Sequence, residues 1–288
     1  SDLYVRRADN KYGYVLPGLG SGRYGHALGP VFRTRRDIVV TGAQVSGTGA
    51  PDLIGRRGAV LYTYENSGGF DLGRPIATGI NVSDANRLLN AGDWNRDGFG
   101  DIITRSKATG TLDLRLGTGK GTFGARRTLA TGFGTVQLLA AVGDMTGDGF
   151  PDLMGQPRGG EMRIYPGRGL SGLRPSYVAF GRITATRPVP IGRFTSDGAP
   201  DLLFRKGAAM SLYPGNGPGG LTGGKALGLD LTDYDWVVGI SDASLVGHPD
   251  LVVREKATGF LFLIPTTPTG FGRRHFLGEG TGAYDLVG

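Results

Sequence analysis

The sequence predicts an all-β fold, a β-propeller of six four-stranded blades, and three observations carry that prediction. An Asp-Leu step, once Asp-Ile, followed by apolar residues recurs at Asp2, Asp52, Asp101, Asp152, Asp201 and Asp250, at spacings of 50, 49, 51, 49 and 49 residues. A period near 50 suits a four-stranded blade better than a helical pair. Short β-rich runs bounded by glycine fill the chain, and no segment sustains a 3.6-residue apolar period. The ends are complementary: Tyr284-Asp-Leu-Val-Gly288 aligns with the first strand of the repeat, whereas Ser1-Asp2-Leu3 begins at the second. The C-terminal strand is therefore expected to pair with the N-terminal blade, closing a single domain over 1–288 and leaving no open sheet edge.

The repeat between Val136 and Thr186 shows the elements in order. Val136–Gly143 reads as a first strand, Asp144–Asp152 as an acidic loop, and Asp152-Leu-Met-Gly155 as the start of a second strand. A turn at 156–160 leads to Met162-Arg-Ile-Tyr165, stopped by Pro166-Gly167, and Ser176–Phe180 supplies the fourth strand. Other third strands end in the same way at Leu16-Pro-Gly18, Tyr213-Pro-Gly215 and Ile264-Pro265, because proline donates nothing to the ladder. With 54 glycines and 16 prolines the chain is turn-rich, yet 39% hydrophobic residues are enough for packed cores.

Composition also limits function. With no cysteine, disulfides, thiolate metal sites and a cysteine nucleophile are excluded. No apolar run is long enough for a membrane-spanning helix, and the N-terminus lacks a signal pattern, so a cytosolic or a mature exported chain is expected. The net charge of +7 favours anionic partners, with no specific sign of nucleic acid. His26, His248 and His275 fall in different repeats without ligand spacing, so no catalytic residue is assigned. Gly20-Ser-Gly22-Arg-Tyr-Gly25 matches a dinucleotide pattern, but no helix is predicted after it to receive a phosphate.

The acidic loops point to a cation. Asp93-Trp-Asn95-Arg-Asp97-Gly98-Phe-Gly-Asp101 places side-chain oxygens at alternate positions, with a glycine at the sharp turn, the spacing by which calcium loops gather oxygen ligands. Asp93, Asn95, Asp97, Asp101 and the Phe99 carbonyl are the expected ligands. Asp144, Thr146, Asp148, Asp152 and the Phe150 carbonyl form a weaker second set. The alternative is that these carboxylates only cap turns. Arg193 stands at the first ligand position of its loop, Val246 at the third carboxylate position of another, and Gln44–Asp52 keeps only the last carboxylate. Since that last Asp persists in every repeat, a structural role in bonding loop amides is expected of it.

With these loops, the Pro-Asp-Leu steps and the pairs in Gly121-Thr-Phe-Gly124 and Thr269-Gly-Phe-Gly272, the chain resembles FG-GAP (VCBS-type) repeats along its whole length. That family includes the integrin α-chain propeller, fungal propeller lectins and modules of exported actinobacterial hydrolases and proteases. The resemblance implies a calcium-stabilised propeller, secreted or at a cell surface, that binds glycans or proteins; integrin propellers have seven blades, so six favours the bacterial modules.

Arginine follows the repeat Asp by four residues at Arg6, Arg56, Arg105, Arg205 and Arg254, with Gln156 in the remaining blade. Each arginine either braces its blade against the next or contributes to an anion-attracting face with tip residues such as Arg57, Lys107, Lys206 and Lys256. Trp94, in the second position of the first calcium loop, is expected to be exposed as a stacking platform, and Trp236 to pack between blades. Arg57, Arg105, Lys107, Lys206, Lys256 and Trp94 are the ligand-binding candidates. The leading functional expectation is a non-catalytic, lectin-like module for neutral or anionic cell-envelope glycans. A protein-adhesion or targeting module attached to a secreted hydrolase or protease, and a propeller-type polysaccharide lyase or hydrolase, are the alternatives.

Overall fold

The computed structural model describes residues 2–20, 22–33, 39–68, 72–195, 197–218, 220–278 and 281–287. It is all-β, and its six four-stranded antiparallel sheets are the blades of a six-bladed β-propeller. The chain divides into two compact units, one of Ser1–Arg33 with Ile183–Gly288 and one of Thr34–Arg182.

The second unit contains blades 2, 3 and 4. Blade 2 has strands Val39–Ala43, Asp52–Arg57, Val60–Asn66 and Leu72–Asn81. Blade 3 has Ala85–Gly92, Asp101–Ser106, Leu112–Arg115 and Arg127–Ala130. Blade 4 has Val136–Gly143, Asp152–Pro157, Met162–Tyr165 and Tyr177–Phe180, matching the order read from the sequence. Strand periodicity decides what each blade buries, since alternate residues face opposite sides. Ile102 joins Val45, Ile54, Leu61, Ile80 and Val82 between blades 2 and 3. Its neighbour Ile103 turns the other way, to Val136, Leu139 and Leu153 of blade 4.

The first unit contains blades 1, 5 and 6. In blade 1, Tyr284–Val287 lies antiparallel to Leu3–Arg7, which continues through Tyr12–Leu16 to Leu28–Arg33. Val5 stands opposite Val287 and Arg6 opposite Leu286. Blade 5 comprises Arg187–Gly192, Asp201–Lys206, Ala209–Tyr213 and Lys225–Ala226. Blade 6 comprises Tyr234–Ile240, Asp250–Glu255, Leu261–Ile264 and His275–Gly278. Leu203, Leu212 and Phe194 meet Val237, Phe262 and Ile264 between blades 5 and 6. Trp236 is buried with Leu3, Val5 and Leu261, under the Arg254 guanidinium 3.6 Å from its ring centroid, as its apolar neighbours predicted. Gly20 and Gly22 of the dinucleotide-like run belong to a short hairpin, Gly18–Gly20 with Arg23–Tyr24, not to a strand-helix turn.

Candidate functional site

The aspartate that opens each second strand turns back into the loop before it. Asp152 shows the full arrangement: Oδ2 accepts from the Met145 and Thr146 amides at 2.9 and 2.8 Å, and Oδ1 from the Gly167 amide at 2.8 Å. Asp101 accepts from Trp94 and Gly117, Asp201 from Thr195 and Gly215, and Asp52 from Val45, Ser46 and Asn66. Asp250 takes the Ala243 and Ser244 amides, and Asp2 takes Gly18. Each carboxylate thus ties the end of the third strand, the start of its own acidic loop, or both, as the recurrence of this Asp predicted. Burial pushes Asp101 up to about 6 and also raises Asp152, with the amide bonds opposing the shift. In three blades the donor of this tie must be glycine: a Cβ on Gly117, Gly167 or Gly215 would lie 2.4, 1.9 or 2.1 Å from a backbone carbonyl oxygen.

Upstream in the loops, Asp93 accepts from the Asp97 and Gly98 amides at 2.9 and 2.8 Å. Asp242 does the same for Val246 and Gly247 in a loop without the third carboxylate, so this cap needs no cation. What distinguishes the two calcium candidates is oxygen left over. Asn95 Oδ1 in the first loop and Asp144 Oδ1 in the second are buried without a hydrogen-bond partner. Unpaired buried oxygens are costly, and a hard cation satisfies them. Among the described residues no three His, Asp or Glu side chains form a metal cluster, so the donor sets would draw on amide, hydroxyl and carbonyl oxygen as well. The residues fit a calcium ion on that basis. Arg96, which sequence reasoning passed over, joins the two loops: it adopts φ 66°, donates from Nε to Gly149 O at 2.6 Å and lies 4.1 Å from the Phe150 centroid.

The loop's second position is a plug. Trp94 has no exposed surface, and its Nε1 donates to Gly169 O at 2.9 Å, correcting its expected role as an exposed platform. The strut explains this for Trp94, Val45 and Met145, because the amide of the second position bonds the buried Asp and carries the side chain inward. Val45, Met145 and Phe194 hold the same position and are buried too. An apolar residue at this place in every complete loop was the signal.

Arg105 is likewise corrected as a ligand contact. It is buried, with Nε donating to Asn86 Oδ1 and Nη1 to Phe133 O and Val136 O, the last in the first strand of blade 4. Arg205 reaches Tyr234 O and Arg254 reaches Tyr284 O, each in the first strand of the following blade, so these arginines brace. Arg57 and Lys107 in one unit, and Lys206 and Lys256 in the other, are exposed; the Lys256 ammonium donates to Thr232 O.

Arg254 also holds Asp235 through Nε at 2.9 Å, and this bond lowers the Asp235 pKa. A carboxylate whose pKa falls on folding stabilises the fold above its unfolded value near 4 and loses that contribution as pH drops through the folded value. Asp235→Asn should therefore lower the melting temperature at pH 6, with the gap to wild type closing below about pH 4. Because the Asp235 side chain is 38% exposed, the effect should be about 1 kcal/mol or less.

The FG-GAP-like repeat pattern matches residues 93–155. No curated protein sequence matches the chain. Among solved structures, a lectin of Agrocybe aegerita described as recognising non-reducing terminal N-acetylglucosamine superposes with a TM-score of 0.61 at 16% identity, covering 98% of this chain and 77% of that one. The BP39L lectin of Burkholderia pseudomallei gives 0.58 at 10% identity, over 96% and 83%. The Tc holotoxin pore of Photorhabdus luminescens gives 0.60 at 13% identity, and there this chain spans only 14% of the longer one. Residues 93–155 are thus FG-GAP-like repeat sequence, carried on an all-β, six-bladed propeller.

Proposed function

We propose that the chain is a non-catalytic carbohydrate-binding propeller, secreted or displayed at a cell surface, with calcium bracing the loops at 93–101 and 144–152. The observation that carries this reading is the likeness, over nearly the whole chain, to two lectin propellers. The non-catalytic part is supported by the repeat aspartates, whose oxygens are engaged by backbone amides and are poorly placed to share a proton with a substrate. A glycan array is the test. Saturable binding to glycans with terminal N-acetylglucosamine or another neutral sugar, without release of reducing ends, is the expected result; an array without binding overturns it.

For calcium, Asp93, Asn95, Asp97 and the Phe99 carbonyl would hold the first ion, and Asp144, Thr146, Asp148 and the Phe150 carbonyl the second, with Asp101 and Asp152 fixing the loops. The ion would supply positive charge to the two carboxylates of each loop and perform no chemistry. At millimolar calcium and a dissociation constant of about 0.1 mM, linkage gives roughly 1.4 kcal/mol of stability per site. Excess EGTA should lower the melting temperature, and an unchanged transition with no metal in elemental analysis would refute the site.

A further inference from the structure

Blade 3 departs from its siblings on the face it turns to blade 2. The third strands align through their pairing with the second strands, so Asp113 corresponds to Tyr14, Tyr62, Arg163, Ser211 and Phe262. By the same register Arg115 corresponds to Leu16, Tyr64, Tyr165, Tyr213 and Ile264. Thr104, which faces Asp113 across the ladder, corresponds to Val5, Gly55, Gly155, Phe204 and Val253. In blade 4, Tyr165 fills the space against blade 3 and packs on Phe133 at 4.8 Å. In blade 6, Phe262 and Ile264 fill the space against blade 5. Only blade 3 places hydroxyl, carboxylate and guanidinium at all three positions, and where its siblings pack rings there is a cleft of about 370 Å³.

The cleft is built and polar. Thr104 and Asp113 form its floor, each buried, with Arg115 Nη1 donating to Thr104 Oγ1 at 3.2 Å. Arg126 Nη1 stands 3.7 Å from Asp113 Oδ2, too long for a strong bond, and Thr128 lies on the same wall. Val82 and Ala85 supply a small apolar edge. A wall alternating carboxylate acceptor, guanidinium donors and hydroxyls complements groups that both donate and accept. The volume lies at the low end of the roughly 300–1,000 Å³ typical of small-molecule sites.

We propose that this cleft on blade 3 is a binding site for a single neutral sugar residue, with Asp113 accepting from ligand hydroxyls and Arg115, Arg126 and Thr128 donating to them. The assignment rests on the carbohydrate reading above and locates it on one blade. The lining carries two carboxylates, Asp84 and Asp113, against two guanidiniums, Arg115 and Arg126, and this balance favours a neutral residue.

The test uses the whole chain and the methyl glycosides of glucose, N-acetylglucosamine and glucuronic acid, titrated by saturation-transfer NMR and calorimetry. Asp113→Ser and the double variant Asp113→Tyr/Arg115→Tyr install residues that sibling blades carry, so both should keep the wild-type melting transition. At least one neutral glycoside should bind, weakened about tenfold or more by Asp113→Ser, as expected for a lost charge-assisted bond, and undetectable with the double variant. Equal affinity in wild type and folded variants would place the sugar elsewhere and overturn the cleft while leaving the carbohydrate reading intact. Binding of the glucuronide alone would overturn the neutral assignment. An array and a titration both without binding would overturn the carbohydrate reading, and this site with it.

Discussion

Trp94→Ala should cost about 4 kcal/mol, near the top of what a single core truncation removes. The indole has no exposed surface and packs with Ile103, Leu114, Leu153 and Tyr165 between blades 3 and 4. Its loss leaves a large void and strands the Gly169 carbonyl, which accepts from Nε1. Trp94→Phe, the residue that blade 5 uses in Phe194, should cost only about 1–2 kcal/mol, because most of the apolar area stays filled. Urea denaturation would show the alanine effect as a lower midpoint at unchanged slope. Folded Trp94→Phe should also retain wild-type glycan affinity. A cost under about 1 kcal/mol for the alanine variant would show that the ring is not a core plug.

Asp152→Ala should be nearly as severe, at about 3–5 kcal/mol, measured in EGTA so that no cation contributes. It leaves the buried Gly167 amide and the part-buried Thr146 amide without acceptors, each carrying a desolvation cost of about 1–3 kcal/mol before relaxation, and leaves the Met145 amide only the Gly143 carbonyl at 3.1 Å. Asp152→Asn keeps one acceptor oxygen but turns an NH2 group toward a donor, so an intermediate loss is expected. Asp197→Ala is the control: it is exposed, bonds only the Ala199 amide among the described contacts, and should change stability by about 0.5 kcal/mol or less.

The architecture was legible because it is written six times. Any one Asp-Leu step is uninformative, but a period of 49 to 51 residues fixes the blade, and strand alternation then fixes which face each residue takes. The same averaging revealed the struts, since an aspartate that remains after its neighbours change must serve something common to all blades. Trp94 was misread because the loop was considered alone; beside Val45, Met145 and Phe194 it occupies a uniformly apolar place. Arg105 has its partners in Asn86 and in carbonyls more than twenty-five residues away, which no local spacing reveals. Asp113 and Arg115 were overlooked for the opposite reason. They break the repeat, and a search for what recurs passes over what departs.

The sheet that joins Leu3–Arg7 to Tyr284–Val287 has a consequence for biosynthesis. Arg6 finds its carboxylate partner, Asp285, 279 residues downstream. At about 5–20 residues per second of synthesis, the N-terminal strands wait roughly a quarter of a minute to one minute for their neighbour. Through that interval Leu3–Arg7 presents an unpaired edge, the kind of surface that recruits foreign strands. Shielding of this strand until its partner is made would therefore matter more to the yield of this chain than to that of a propeller whose blades are each contiguous in sequence.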